Sequence, residues 1–172
     1  EKGVTVAANP VSNLKLASGF CNVPKLLQMG VNVAIGTDGA ASNNSLDMLE
    51  EMKFFATVYK AAFSDPTAVS PEQAAYAAAR AGALGQGRTD CGLIREGYCA
   101  DLAVLDTDQP HWYPRHNGTY DLVYAAKGSD VCLTMVDGQV LYRDGEYPTI
   151  DIEKVKSQAA QAAKRIAAGL AG

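Results

Sequence analysis

Two short runs of apolar, β-branched residues, VTVAA at 4–8 and VNVAI at 31–35, flank a stretch patterned as helix, and this order constrains the chain more than any other feature. A strand, a helix and a second strand close through a right-handed crossover, so the two strands must run parallel in one sheet. Parallel strands are covered on both faces, which explains why both runs are apolar throughout instead of alternating. Between them, VPKLLQMG places Pro24 near a helix start and Gly30 just past its end. Asn9-Pro10 closes the first run as a turn, with Ser12, Asn13 and Lys15 read as polar residues of a strand-to-helix loop making turn hydrogen bonds.

Downstream, a long helix is predicted from Asn44 or Ser45, with Asp47 in its first turn. Met48, Met52, Phe55, Tyr59 and Ala62 form its apolar stripe, so those methionines are core. Ser42, Asn43 and Asn44 are expected to cap it. Ser70-Pro71-Glu72-Gln73 is a capping-box pattern opening a second helix, alanine-rich and therefore able to pack on more than one side, that runs to Gly82 or Gly85. After Gly92 the period changes. Residues 97–106 and 131–136 read as strands, and Asp137-Gly138 makes a two-residue hairpin turn into 139–143. A closing helix begins near Asp151, with Ile152, Val155, Ala159, Ala162, Ile166 and Leu170 on one face. No internal repeat or low-complexity linker interrupts this order.

Composition excludes several function classes. At 48% hydrophobic and 20% charged residues the chain is globular, and a net charge of −4 argues against a general nucleic-acid surface. No apolar run approaches the length of a membrane span and no charged-then-apolar leader is present, so a cytoplasmic location is expected. Cys21, Cys91, Cys99 and Cys132 form no Cys-x-x-Cys pair and are expected to be reduced, partly buried thiols. His111 and His116, the two histidines, lie five apart in PHWYPRH, which suits loop packing or exposed imidazoles better than a metal pair.

Asp38 is the residue that demands an explanation. It sits between Gly36-Thr37 and Gly39 at the carboxyl end of the second apolar run, where a charged carboxylate is unfavourable unless a cation or hydrogen-bond donors meet it. In parallel α/β sheets and barrels that end gathers ligands and catalytic groups. The flanking glycines let the backbone turn sharply there.

The stretches NPVSNLKLASG at 9–19 and GTDGAASNNSLDMLEEM at 36–52 resemble the amidohydrolase superfamily, in its branch of methylthioadenosine and S-adenosylhomocysteine deaminases and chlorohydrolase-like relatives. GYCADLAVLD, Pro110-His111 and LVYAAKGSDVCLTMVDGQVLYRDG extend the likeness over nearly the whole chain. The resemblance implies the C-terminal part of a (β/α)8 metal-dependent hydrolase barrel: its last two strands with their helices, then a small antiparallel β unit and a C-terminal helix. The implied boundaries are 1–90 for the barrel portion, 91–148 for a small β-sandwich-type unit, and 149–172 for the helix. Family members hold a divalent metal, zinc as the implied identity, with histidines from other strands and an aspartate at the end of the eighth strand. Asp38 matches that aspartate, and the implied role is both metal ligand and acid/base catalyst in removing ammonia from an adenine-type nucleoside. Ala8 stands where relatives often carry histidine.

One donor does not complete a catalytic metal site, so the 172-residue chain alone is expected to be an inactive fragment. Two parallel strands cannot close a barrel, so it is expected to form a homo-oligomer or to pair with a separately supplied N-terminal half. Other readings are an amidohydrolase acting on a different heterocycle, and a non-catalytic oligomerisation module.

Overall fold

The computed structural model describes residues 3–170. Residues 1–2, and the last two residues of the predicted 149–172 segment, lie outside the described residues. The opening β-α-β unit is present, as strand β1 (Thr5–Ala8), helix α1 (Pro10–Lys15), helix α2 (Val23–Gln28) and strand β2 (Asn32–Ile35). β1 and β2 pair in parallel with Ala8 opposite Ile35, so their carboxyl ends lie side by side.

Helix α1 corrects the reading of residues 10–15 as loop. Pro10 takes the first helical position, where its missing N–H is harmless, and Asn13 N and Leu16 N donate to Asn9 O and Ser12 O at 2.9 and 3.0 Å. The long helix α3 (Met48–Phe63) begins later than expected. Asp47 is its N-cap rather than a first-turn residue, accepting from Leu49 N and Glu50 N at 2.9 and 3.3 Å. Ser42, Asn43 and Asn44 therefore do not cap it. Met52, Phe55 and Tyr59 are buried as the stripe requires, while Ala62 is exposed near the helix end.

The alanine-rich stretch forms two helices, α4 (Pro71–Ala78) and α5 (Arg80–Gly85), because Ala79 leaves helical geometry at φ −119°, ψ −78°. Both halves of the capping box at Ser70 and Gln73 are made. Ala74, Ala77 and Ala81 are buried, and α4 packs against α3 and β2. The core beneath includes Val23, Val33, Phe55, Tyr59 and Val69, with the Phe55 and Tyr59 rings edge to face at 5.5 Å.

Strand β3 (Leu102–Leu105) is shorter than the predicted 97–106, because Gly97 at φ 80° and the Tyr98 N to Arg95 O bond of 3.1 Å make a turn first. Helix α6 (Gly118–Tyr124) follows and returns to α3 and α4, placing Val123 in the same core. Strands β4 (Val131–Val136) and β5 (Gln139–Arg143) complete an antiparallel sheet of order β3-β4-β5. Asp137 and Gly138 both have positive φ, 49° and 78°, as a type I′ hairpin requires. The final helix α7 (Ile152–Leu170) buries none of its residues, so its apolar face is uncovered by the described chain. No helix among the described residues is long and apolar enough to cross a membrane.

This is a mixed α/β fold in which a parallel strand pair with its helices, a partial barrel, precedes a small antiparallel sheet and a C-terminal helix.

Candidate metal centre

Because Ala8 and Ile35 are paired, the segments leaving the two strands emerge next to each other. From β1 come Asn9 and α1; from β2 come Gly36, Thr37 and Asp38. Gly36 N still donates to Ala8 O at 3.0 Å, and a Cβ on Gly36 would collide with the Asn9 side-chain amide, so glycine leaves room for that amide at this crossing. Asp38 itself lies in the left-handed region at φ 59°, which aspartate tolerates better than most residues and which turns its carboxylate out of the strand direction.

The carboxylate is held from two sides. Ser12 Oγ donates to Asp38 Oδ2 at 2.7 Å, and Gly39 N donates to Asp38 Oδ1 at 2.8 Å. Ser12 is 2% exposed, so its hydroxyl is fixed by packing of α1. The Ser12 hydroxyl, then that of Ser42, then the Gly39 amide hold the Asp38 carboxyl below its ordinary value, outweighing the opposing effect of burial. The group is therefore an anion at neutral pH. Each oxygen keeps a lone pair beyond these bonds, so the carboxylate can still serve as an oxygen donor to a divalent cation.

A second layer fixes the turn. Asn43, 5% exposed, donates from Nδ2 to Thr37 O at 2.7 Å and to Glu51 Oε1 at 2.5 Å. Glu51, 1% exposed, accepts from Val11 N at 3.3 Å with its other oxygen, and burial pushes its carboxyl above the ordinary value. The polar path Val11, Glu51, Asn43, Thr37 thus ties α1 and α3 to the Asp38 turn. Lys15 Nζ donates to Asn44 Oδ1 across the same gap, and Ser42 Oγ donates to Gly39 O at 2.9 Å.

Sequence reasoning gave Ser12 and Asn43 other roles, a loop hydrogen bond and a helix cap, and missed Glu51. For Glu51 a signal existed: a carboxylate between Met48, Met52 and Phe55 on an otherwise apolar helical face has to meet a buried donor. That Ser12 reaches Asp38 follows from α1 being helical and lying beside the end of β2.

The structure does not bring the histidines into a metal set with Asp38. His111 Nε2 lies 2.8 Å from Asp130 Oδ2, in a short 3-10 turn over residues 110–112, and His116 is exposed. Among the described residues, the one group of three or more metal-ligating side chains is Asp90, Cys91 and Cys99, which excludes Asp38. A cavity of about 850 Å³ opens between α3, α4 and the β3-β4 strands, lined by Met48, Met52, Leu102 and Val131 among others; it does not include Asp38 either.

The profile of the amidohydrolase family matches residues 1–141. The chain is 49% identical over 159 residues to the 5-methylthioadenosine/S-adenosylhomocysteine deaminase of Dictyoglomus thermophilum, covering 92% of this chain and 37% of that protein. It is 45% identical over 168 residues to the 5'-deoxyadenosine deaminase of Methanosarcina mazei, covering 98% of this chain and 39% of that protein. Among solved structures, an adenosine deaminase from Xanthomonas campestris with bound zinc superposes at a TM-score of 0.94 and 38% identity, over 97% of this chain and 38% of that one. The chain therefore spans well under half the length of these relatives. The family match over most of the sequence and the fold agree, and the chain belongs to the amidohydrolase family.

Proposed function

We propose that this chain is the C-terminal part of a metal-dependent aminohydrolase that deaminates an adenine-type nucleoside of the methylthioadenosine or S-adenosylhomocysteine kind, and that Asp38 is its acid/base residue and one of its metal ligands. The observation carrying the reading is the Asp38 carboxylate, ionised and held by Ser12 in a left-handed turn where two parallel strands end. A divalent metal, zinc by analogy with the Xanthomonas structure, would supply Lewis-acid activation of water beside it.

Asp38 then acts as base and acid in turn. Ser12 holds Oδ2 and Gly39 N holds Oδ1, and each oxygen keeps a lone pair with which to take the proton of the attacking water. The same carboxyl later returns a proton to the departing amino nitrogen, as a general acid must for ammonia to leave. The Glu51-Asn43 relay keeps the turn from relaxing during these transfers.

By itself the chain offers one such ligand and is expected to release no ammonia. It is expected to join a partner of its own kind or the remaining barrel strands, because among the described residues β1 and β2 pair only with each other. The division at residues 1–90, 91–148 and 149–172 belongs to this reading, as does a cytoplasmic location, supported by four free cysteines.

The test is ammonia release by the intact enzyme carrying this sequence, offered 5'-methylthioadenosine, S-adenosylhomocysteine and 5'-deoxyadenosine in parallel with a chlorinated triazine. Turnover of the nucleosides supports the reading. Turnover of the triazine alone moves the enzyme to a different heterocycle, and none on any of them overturns the deaminase assignment.

A further inference from the structure

The loop between α5 and β3 gathers side chains that the proposed deamination does not use. Asp90, Cys91 and Cys99 each present one ligand atom within 4.8 Å of the others. Sequence spacing conceals this, because the approach is made by a backbone bond, Cys99 N to Asp90 O at 2.9 Å. The Asp90 carboxylate spans the two thiols, with Cys91 Sγ 3.5 Å from Oδ1 and Cys99 Sγ 3.4 Å from Oδ2. In a tetrahedral zinc shell, with Zn–S near 2.3 Å and Zn–O near 2.1 Å, sulfur and oxygen ligands stand about 3.6 Å apart. Each sulfur stands at about that separation from one oxygen of the carboxylate, and the three ligand atoms lie within 4.8 Å of one another.

The backbone around them is fixed. Arg80 Nη1 donates to Thr89 O at 3.0 Å and to Cys91 O at 2.5 Å. Gly92, at φ +77°, lies so close to the Arg80 backbone that a Cβ there would fall 2.7 Å from its Cα. Cys91 is 2% exposed and Asp90 is open to solvent, so one ligand is anchored and a path of entry exists. Two thiolates and a carboxylate around a divalent cation sum to one negative charge; the Arg88 guanidinium stands beside Cys91 and is itself paired with Asp101 at 3.0 Å.

We propose that Asp90, Cys91 and Cys99 form a second metal site, for a thiophilic divalent cation of the zinc class, with its fourth position open to water. Such a site would staple the end of α5 to the entrance of β3, and it stands independently of the deaminase reading. Burial, with Cys99 and Asp90 nearby, pushes the Cys91 thiol up to about 12. A cation displaces that proton, since the thiolate is the ligating form.

The test titrates the fully reduced 172-residue chain with Co²⁺ alone under inert gas. The expected result is a thiolate-to-cobalt charge-transfer band that saturates at one equivalent, with the visible absorption of a tetrahedral shell. Cys99→Ser should abolish this two-thiolate spectrum, and Asp90→Ala should weaken binding by about tenfold or more. Both variants leave the buried Cys91 in place, and circular dichroism checks that each is folded. A reduced, folded chain without the band, a band unchanged by Cys99→Ser, or an affinity unchanged by Asp90→Ala overturns the site. So does a Cys91-Cys99 pair that forms a disulfide with oxidised glutathione but takes up no cobalt when reduced.

Discussion

Ser12 Oγ lies 2.7 Å from Asp38 Oδ2, a bond between residues 26 positions apart that joins the segment leaving β1 to the segment leaving β2. It exists because the two strands are parallel and in register at their carboxyl ends. The bond orients the charged group that the proposed chemistry uses, so losing it is felt in the chemistry rather than only in the fold. Ser12→Ala in the intact enzyme is expected to lower kcat by about tenfold or more with a smaller change in KM, measured by steady-state ammonia release.

Gly36→Ala tests the crossing itself. The added methyl would occupy the space of the Asn9 amide, so either that side chain or the turn before Asp38 must move. The expected loss is about 1–3 kcal/mol in urea unfolding of the chain, as for other overpacked positions.

These consequences were only partly legible beforehand. The parallel β-α-β unit, the Asp137-Gly138 hairpin and the Ser70-Gln73 capping box all rest on local chemistry, namely apolar runs, positive φ and a side chain reaching three residues along. Other features are tertiary. α3 starts at Asp47 because Asn43 and Asn44 are engaged by Glu51, Thr37 and Lys15, partners that no local pattern reveals. The break at Ala79 carries no glycine or proline; there the 88–92 loop docks, with Arg80 holding two of its carbonyls. Asp38 was recognisable from its place between glycines, but not the serine that orients it.

Glu51 gives a pH dependence of defined sign. Its carboxyl is raised above 4.5, first by burial, so the folded state holds its proton more tightly than the unfolded chain. Its contribution therefore falls as pH rises from about the unfolded value through the folded one. Carboxyls shifted the other way, such as Asp38, add stability as pH rises through lower values. The difference in denaturation midpoint between the native chain and Glu51→Gln, followed from pH 4 to 7, isolates the Glu51 part and is expected to move in favour of the variant as pH increases.

Asp130 acts as a hub for the segment before β4. Its Oδ2 lies 2.8 Å from His111 Nε2 and accepts from Trp112 Nε1 at 3.1 Å and Lys127 N at 2.9 Å. Although burial opposes ionisation, these donors hold its carboxyl below 3.8, so the stabilisation is present above that value and is lost as pH falls through the lowered one. Asp130→Ala leaves three donors without their acceptor. The expected cost is about 2 kcal/mol in chemical unfolding, with a shifted emission from Trp112, the single tryptophan.

The most direct measurement is ammonia release from an adenine-type nucleoside by the intact enzyme with Asp38→Asn, alongside its metal content. The account expects the rate to fall by about 100-fold or more, since asparagine keeps the shape but cannot carry the proton. An unchanged rate in a folded, metal-loaded variant would contradict it.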